Sequence, residues 1–158
     1  MNKVIILMGS EHDLEFCREI AKHLKALDLD YEMRVGSAHK TPEKILDILR
    51  ENEKEKVVYI TVAGRSNALS AFVDANTTMP VIGCPPYSEK FGGTDIYSTL
   101  RVPSGIASLT TIEPEGAALA AAKIFALKDT GIEKRVIEYQ QTKKNKIEKA
   151  DQTIKKSR

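Results

Sequence analysis

Four short segments in the first ninety residues gather side chains that bind anions and move protons. They are Gly9-Ser10-Glu11-His12-Asp13, Gly36-Ser37-Ala38-His39-Lys40-Thr41, Ala63-Gly64-Arg65-Ser66-Asn67 and Cys84-Pro85-Pro86-Tyr87-Ser88. Each follows an apolar run, and the first three lead into a helical pattern. Free backbone N–H groups at a helix start favour an anion. Glycine lets the backbone approach a phosphate closely, serine adds donors and Lys40 adds a positive point charge. Together these residues suit a small phosphorylated metabolite. His39, set between Ser37 and Lys40, is the residue type that gives and takes protons near neutral pH. Plain structural readings stand beside these. Gly9-Ser10 also suits an ordinary strand-to-helix turn, Asp13 a helix cap, His39 a structural histidine and Cys84 simple packing. Arg65 suits either a substrate contact or a neighbouring carboxylate, and the sequence does not choose.

The segments need a frame. Apolar, β-branched runs at residues 3–8, 31–35, 56–62, 80–84 and 108–112 read as strands. Between them, Cys17, Ile20, Ala21, Leu24 and Leu27 recur at helical spacing, as do Ile45, Ile48 and Leu49 behind the Thr41-Pro42 helix start. Residues 66–74 and the alanine-rich stretch 115–127, opened by Pro114, complete the helices. Strands alternating with helices predict a parallel sheet covered on both faces. The expected fold is an α/β protein: a three-layer α/β/α sandwich with a flavodoxin-like parallel sheet of about five strands. Ligands of such sheets bind at the carboxyl ends of the strands, where all four segments fall. From residue 128 the pattern is a long polar helix whose apolar positions, Val136, Ile137, Tyr139, Ile147 and Ile154, are sparse. Such a helix is marginal alone, so it is expected to dock on the body or on another subunit. The expected division is a catalytic α/β domain at 1–127 and a C-terminal helical tail at 128–158.

Composition narrows the class. The chain has 158 residues, 42% of them hydrophobic and 29% charged, which excludes wholesale disorder. No apolar run approaches the ~20 residues of a membrane span, and no signal-peptide core is present. The expectation is no membrane and a cytoplasmic location. Two distant cysteines and three histidines, without C-x-x-C or H-x-x-x-H spacing, offer no zinc site. Neither a G-x-G-x-x-G nor a Walker lysine motif occurs. Residues 133–158 hold nine Lys/Arg against four Asp/Glu, a charge of +5 that leaves −3 on the other 132 residues. A basic tail on a mildly acidic body is weak support for nucleic acid, and no nucleic-acid partner is expected.

The motifs together resemble the aminoimidazole ribonucleotide carboxylase family of purine biosynthesis. The resemblance rests on Gly9-Ser10-x-x-Asp13, Ser37-Ala38-His39-Lys40-Thr41-Pro42 and Ala63-Gly64-Arg65-Ser66-Asn67-Ala68-Leu69-Ser70. It continues through Cys84-Pro85-Pro86, Asp95-Ile96-Tyr97-Ser98 and Pro103-Ser104-Gly105-Ile106. It covers roughly residues 3–127. The family has a mutase class, which moves a carboxylate from the substrate's exocyclic nitrogen to a ring carbon, and a class that uses free carbon dioxide. Mutases typically carry Gly-Gly-Ala-Ala-His-Leu-Pro-Gly after the third strand and Ser-Ala-His-Arg after the second. Here Ser70 replaces the mutase's second histidine and Lys40 its arginine, so the resemblance is to the carbon-dioxide-using class, with the mutase as runner-up.

The resemblance implies a mechanism without biotin, metal or ATP. The ring carbon of the aminoimidazole attacks carbon dioxide, and a general base then removes the proton left on that carbon. His39 falls on the family's catalytic histidine. Ser10, Ser37 and Lys40 fall on the ribose-phosphate contacts, Asp13 on the ribose hydroxyls, and Gly64 and Ser66 on the wall facing the base and the carboxylate. Family members are homo-oligomers, so a tetramer or octamer is expected. Outside the family, a non-catalytic flavodoxin-like binder of flavin or nucleotide is disfavoured by 6% aromatic content and no Trp. A phospho-acceptor domain would need an acidic cluster where Ser10 stands and an Asp where Gly64-Arg65 stands.

Overall fold

The computed structural model describes residues 2–157. Its centre is β1 (Lys3–Met8), whose last five residues are buried. This strand lies parallel between β2 (Asp30–Val35) and β3 (Val57–Val62), with Lys3 opposite both Asp30 and Val57. The short strands β4 (Val81–Gly83) and β5 (Leu109–Thr110) extend the sheet beyond β3. The order is β2-β1-β3-β4-β5, all parallel, the flavodoxin-like arrangement. The chain runs outward from β1 to β2 and then returns past β1 to β3. Connections therefore leave in opposite directions at the β1–β3 boundary, which opens a crevice at the carboxyl ends.

Side chains alternate across the sheet with period two. Val4, Ile6, Met8, Val58, Ile60 and Val62 face α1 (Leu14–Ala26) and α5 (Pro114–Ala126). Ile5, Leu7, Val57 and Tyr59 face α2 (Pro42–Glu51) and α3 (Ala68–Ala75). Burial on both faces explains the near-continuous apolar runs of β1 and β3. In α5, Ala117, Ala118, Ala121 and Ala122 are all fully buried, small enough to let the helix lie close to α1 and the sheet.

Several boundaries differ from the sequence expectation. The fifth strand is only two residues long and both are exposed. A short helix α4 (Ile96–Leu100) lies in the stretch where none was expected. A single 3-10 turn, Glu11–Asp13, precedes α1. The third helix begins at Ala68 rather than at 66, because Asn67 takes the capping position and its Oδ1 accepts the Ser70 N–H at 3.3 Å. Thr41 precedes α2 as expected, but its hydroxyl does not cap that helix. It accepts the Ser37 N–H at 2.9 Å instead.

The tail forms α6 (Thr130–Lys156), capped by Asp129 Oδ1, which accepts the Gly131 N–H at 2.9 Å and the Ile132 N–H at 3.1 Å. Ile132 and Val136 are buried in the same core as α1 and α5. Arg135 pairs with Asp28 at 2.6 Å, and the Tyr139 hydroxyl donates to Glu115 at 2.7 Å. The tail's first turns thus dock on the chain's own body, whereas residues 141–157 are all exposed. No helix among the described residues is long and apolar enough to cross a membrane.

Candidate active site

Three strand-end loops are bonded side by side at the switch point. The Gly36 N–H donates to the Met8 carbonyl at 2.9 Å, and the Gly9 N–H donates to the Val62 carbonyl at 2.8 Å. These two bonds extend the sheet one residue past β1 and β2, so the loops after β2, β1 and β3 leave from one line. A Cβ on Gly9 would meet the Ala63 Cβ at 3.2 Å, and one on Gly36 would meet Ile45 Cγ1 at 3.0 Å. Glycine suits both positions because the neighbouring loop and helix come that close, and a side chain would have to push them aside.

Beyond β1, the Ser10 hydroxyl accepts the His12 N–H at 3.2 Å and lies 2.9 Å from His12 Nδ1. Asp13 sits at the start of α1 but makes no side-chain cap hydrogen bond. Its carboxyl is half-buried, and burial pushes its pKa above the ordinary 3.8, against the opposing pull of the Ser10 backbone bond and His12. The structure thus does not favour the simple helix-cap reading of Asp13. Its carboxylate is partly stripped of water, and the loss outweighs what Ser10 and His12 return.

Beyond β2, Ser37–Thr41 closes into one tight turn. The Thr41 N–H donates to the Ser37 carbonyl at 2.8 Å, and the Ser37 hydroxyl accepts the Lys40 N–H at 3.2 Å. His39 and Lys40 form the exposed crest of that turn. Lys40 makes no ion pair among the described residues. Beyond β3, Gly64 and Ser66 flank Arg65, whose φ of 58° is left-handed, a conformation uncommon for a residue other than glycine. The Arg65 N–H donates to Asp95 Oδ2 at 2.9 Å. Of the two readings left open for Arg65, a neighbouring carboxylate is present, but the backbone engages it.

A cavity of about 180 Å³ opens against this third loop, lined by Ala63, Gly64, Pro85, Pro86, Tyr87, Asp95, Ile96 and Ile112 among others. Its walls are chiefly apolar, which suits a flat heteroaromatic ring or carbon dioxide better than a phosphate. Ser10, Ser37, His39 and Lys40 lie on the adjoining loops, outside the cavity lining. Leu69 is buried in the core facing α2 and α3, and Phe72 packs against that core. The apolar wall of the cavity comes from Ala63 and from residues of the segments after β4 and β5. Ser70 is fully buried, and neither its hydroxyl nor that of Thr61 on β3 has a partner among the described residues. Cys17 and Cys84 are buried in the core. Burial pushes both thiols up to about 12, so they stay protonated and act as packing.

The sequence missed Asp95, Ile96 and Ile112 as site residues. Asp95 and Ile96 belong to a quoted motif, but nothing local signalled that they face a loop thirty residues earlier. Tyr87 was part of the fourth segment without a role.

A doubly wound parallel sheet with small, hydroxyl and basic loops at its switch point defines a small-metabolite site of the flavodoxin-like class. The AIR carboxylase family matches residues 3–146, and the chain belongs to that family. It is 57% identical over 152 residues to the phosphoribosylaminoimidazole carboxylase of Archaeoglobus fulgidus, a match spanning 96% of this chain and 84% of that protein. It is 47% identical over 155 residues to the enzyme of the same name from Treponema denticola, spanning 97% and 98% of the two chains. The crystal structure of Treponema denticola PurE superposes with a TM-score of 0.96 at 46% identity, covering 98% of this chain and 99% of that one. The family match continues past residue 127 into α6, consistent with the burial of Ile132 and Val136.

Proposed function

We propose that this chain carboxylates aminoimidazole ribonucleotide with free carbon dioxide, giving carboxyaminoimidazole ribonucleotide for purine synthesis. The carrying observation is the convergence of the first three loops at the switch point, beside an apolar cavity, in a member of this family. Ser10, Ser37 and Lys40 hold the ribose phosphate with hydroxyls and one positive charge. Asp13 accepts hydrogen bonds from the ribose hydroxyls, which add to the Ser10 backbone bond and offset the burial of its carboxylate. Gly64 and Ser66 form the wall facing the base and the incoming carboxylate.

The aminoimidazole is an enamine. Its ring carbon beside the amine-bearing carbon donates an electron pair to carbon dioxide, forming the new carbon–carbon bond and a carboxylate. That ring carbon still carries its proton. His39 takes the proton, the carbon–hydrogen electron pair returns to the ring, and aromaticity is restored. No group in this scheme requires biotin, metal or ATP. Residues 1–127 supply the catalytic unit, and the tail 128–158 braces it.

The donor is carbon dioxide rather than the N-carboxylated compound because a mutase needs groups that protonate the departing nitrogen. Ser70, where mutases carry a second histidine, does not titrate near neutrality, and it is fully buried. The test supplies each compound separately, with a scavenger removing free carbon dioxide from the second reaction. Turnover is expected to rise with dissolved carbon dioxide and to be poor on the N-carboxylated compound. Efficient conversion of that compound under the scavenger would sink the carboxylase reading in favour of the mutase.

A further inference from the structure

The loop Gly64-Arg65-Ser66, whose Gly64 lines the cavity, holds an unfavourable backbone conformation, and a second segment holds it in place. Arg65 has a φ of 58°, and a side-chain-bearing residue stays there only where its surroundings over-determine it. The surroundings are three residues of 95–99. Asp95 Oδ2 accepts the Arg65 N–H at 2.9 Å. The Ser98 hydroxyl lies 3.1 Å from the Arg65 carbonyl and 2.7 Å from that of Asp95, and it accepts the Asn67 N–H at 2.8 Å. Asn67 Nδ2 donates to the buried Thr99 hydroxyl at 3.1 Å. The loop after β3 is thereby gripped on both sides of its left-handed residue. The gripping segment also supplies Asp95 and Ile96 to the cavity.

We infer that Asp95 is a positioning residue for the carboxylation site: its carboxylate latches the Arg65 amide, and so sets where Gly64 and Ser66 present their backbone to the substrate. The inference rests on the proposed reaction for its kinetic consequence and on geometry alone for the latch. Without the Asp95 acceptor, Arg65 relaxes toward negative φ and the wall moves. A small misplacement of such a wall can lower turnover by up to about 10²-fold. The guanidinium of Arg65 has no part in this, because the bonded atoms are backbone.

Four variants test the latch. Asp95→Ala is expected to lower kcat/KM by about 10–10²-fold, mainly through kcat, and to speed hydrogen exchange at the Arg65 amide. Asp95→Asn keeps a carbonyl oxygen at the acceptor position and is expected to retain near-normal turnover. Arg65→Gly placed in the Asp95→Ala chain is expected to recover most of the loss, because glycine holds positive φ without a latch. Ser98→Ala, which removes the grip on the other side of Arg65, is expected to lower kcat in the same direction and decides the matter if Asp95→Ala does not fold. Normal turnover in Asp95→Ala overturns the inference. So does loss in Asp95→Asn, or failure of Arg65→Gly to rescue, either of which would give the carboxylate a direct chemical role. If the unmodified chain does not carboxylate in the same assay, the proposed reaction fails. The exchange rate of the Arg65 amide in Asp95→Ala, unchanged or raised, still refutes or supports the latch.

Discussion

His39 rides on a turn whose backbone is fixed by bonds that do not involve its ring. Thr41 and Ser37 exchange hydrogen bonds of 2.8 and 2.9 Å, and Lys40 is tied to the Ser37 hydroxyl at 3.2 Å. Removing the imidazole therefore leaves the turn in place. His39→Ala is expected to lose about 10²–10⁴-fold in turnover while melting temperature and ribose-phosphate binding persist. Near-normal turnover would remove His39 from the mechanism. Asp13 carries a prediction of the opposite kind for stability. Its folded pKa is raised by burial, so the folded chain binds that proton more tightly than the unfolded one. The associated stability is present below the ordinary 3.8 and is lost as pH rises through the folded value. At neutral pH the ionised carboxylate is thus a cost that a bound ribose would relieve. Asp13→Asn should raise the melting temperature at pH 7, lose that advantage as pH falls toward the ordinary carboxylate range, and raise KM. Thermal melts across pH together with steady-state kinetics check it, and a lower melting temperature at pH 7 would contradict the burial argument. The placement of Ser10, Ser37, His39 and Lys40 just past β1 and β2 was legible in the sequence, because the apolar runs before them mark where those strands end. Asp95 was not, because its partner is a backbone N–H thirty residues away and the signal, a left-handed arginine, exists only in the folded chain.

The same contrast holds for elements. The strands β1 and β3 and the helices α1, α2 and α5 follow from patterning, since burial on one or both faces writes itself into residue type. The short α4 and the two-residue β5 did not follow. They are five and two residues long, β5 is exposed and the buried position of α4 is the polar Thr99, so no hydrophobic period marks them, and their positions are set by contacts with the loop after β3 and with β4. The tail was legible as a helix but not in its docking. Only Ile132 and Val136 of α6 are buried, and burying such a side chain contributes about 1.5–3 kcal/mol. The exposed Arg135–Asp28 and Lys143–Glu115 pairs add little beside that. Two truncations separate the parts. Ending the chain after Leu127 removes Ile132 and Val136 from the core they share with α1 and α5 and should lower the melting temperature by several degrees. Ending it after Lys143 keeps both buried anchors and the Glu115 contacts, so calorimetry should find the fold intact. Sedimentation should still find a smaller assembly, since the exposed Ile147 and Ile154 go with the removed piece. Full retention of melting temperature and assembly in the shorter chain would make the tail a solvated appendage.

At the scale of the whole molecule, exposed apolar side chains concentrate in one stretch of the chain. Tyr87, Phe91, Tyr97, Leu100, Leu109 and Ile112 are all more than half exposed. They occupy a stretch of 26 residues that carries β5, one of the two edge strands of the sheet. A monomer rarely leaves so much apolar surface in water, and an uncovered strand edge invites pairing. Two of the six, Tyr87 and Ile112, also line the cavity, so whatever covers this region closes the candidate site as well. A second copy of the chain is the cover that always accompanies the protein. The expected outcome is a homo-oligomer, sedimenting at a multiple of the 17.5 kDa chain mass. Leu100 lies on α4, exposed and outside the cavity lining, so its replacement tests the cover without touching the site. Leu100→Glu places a charge where an apolar contact is expected and should shift the population toward smaller species. Because water must be kept from the reacting ring carbon and the dissolved gas, turnover per chain should fall with the assembly and recover as protein concentration drives it back. A monomeric native chain would refute the cover. A dissociated Leu100→Glu protein with undiminished turnover per chain would show that the cavity needs no neighbour to work.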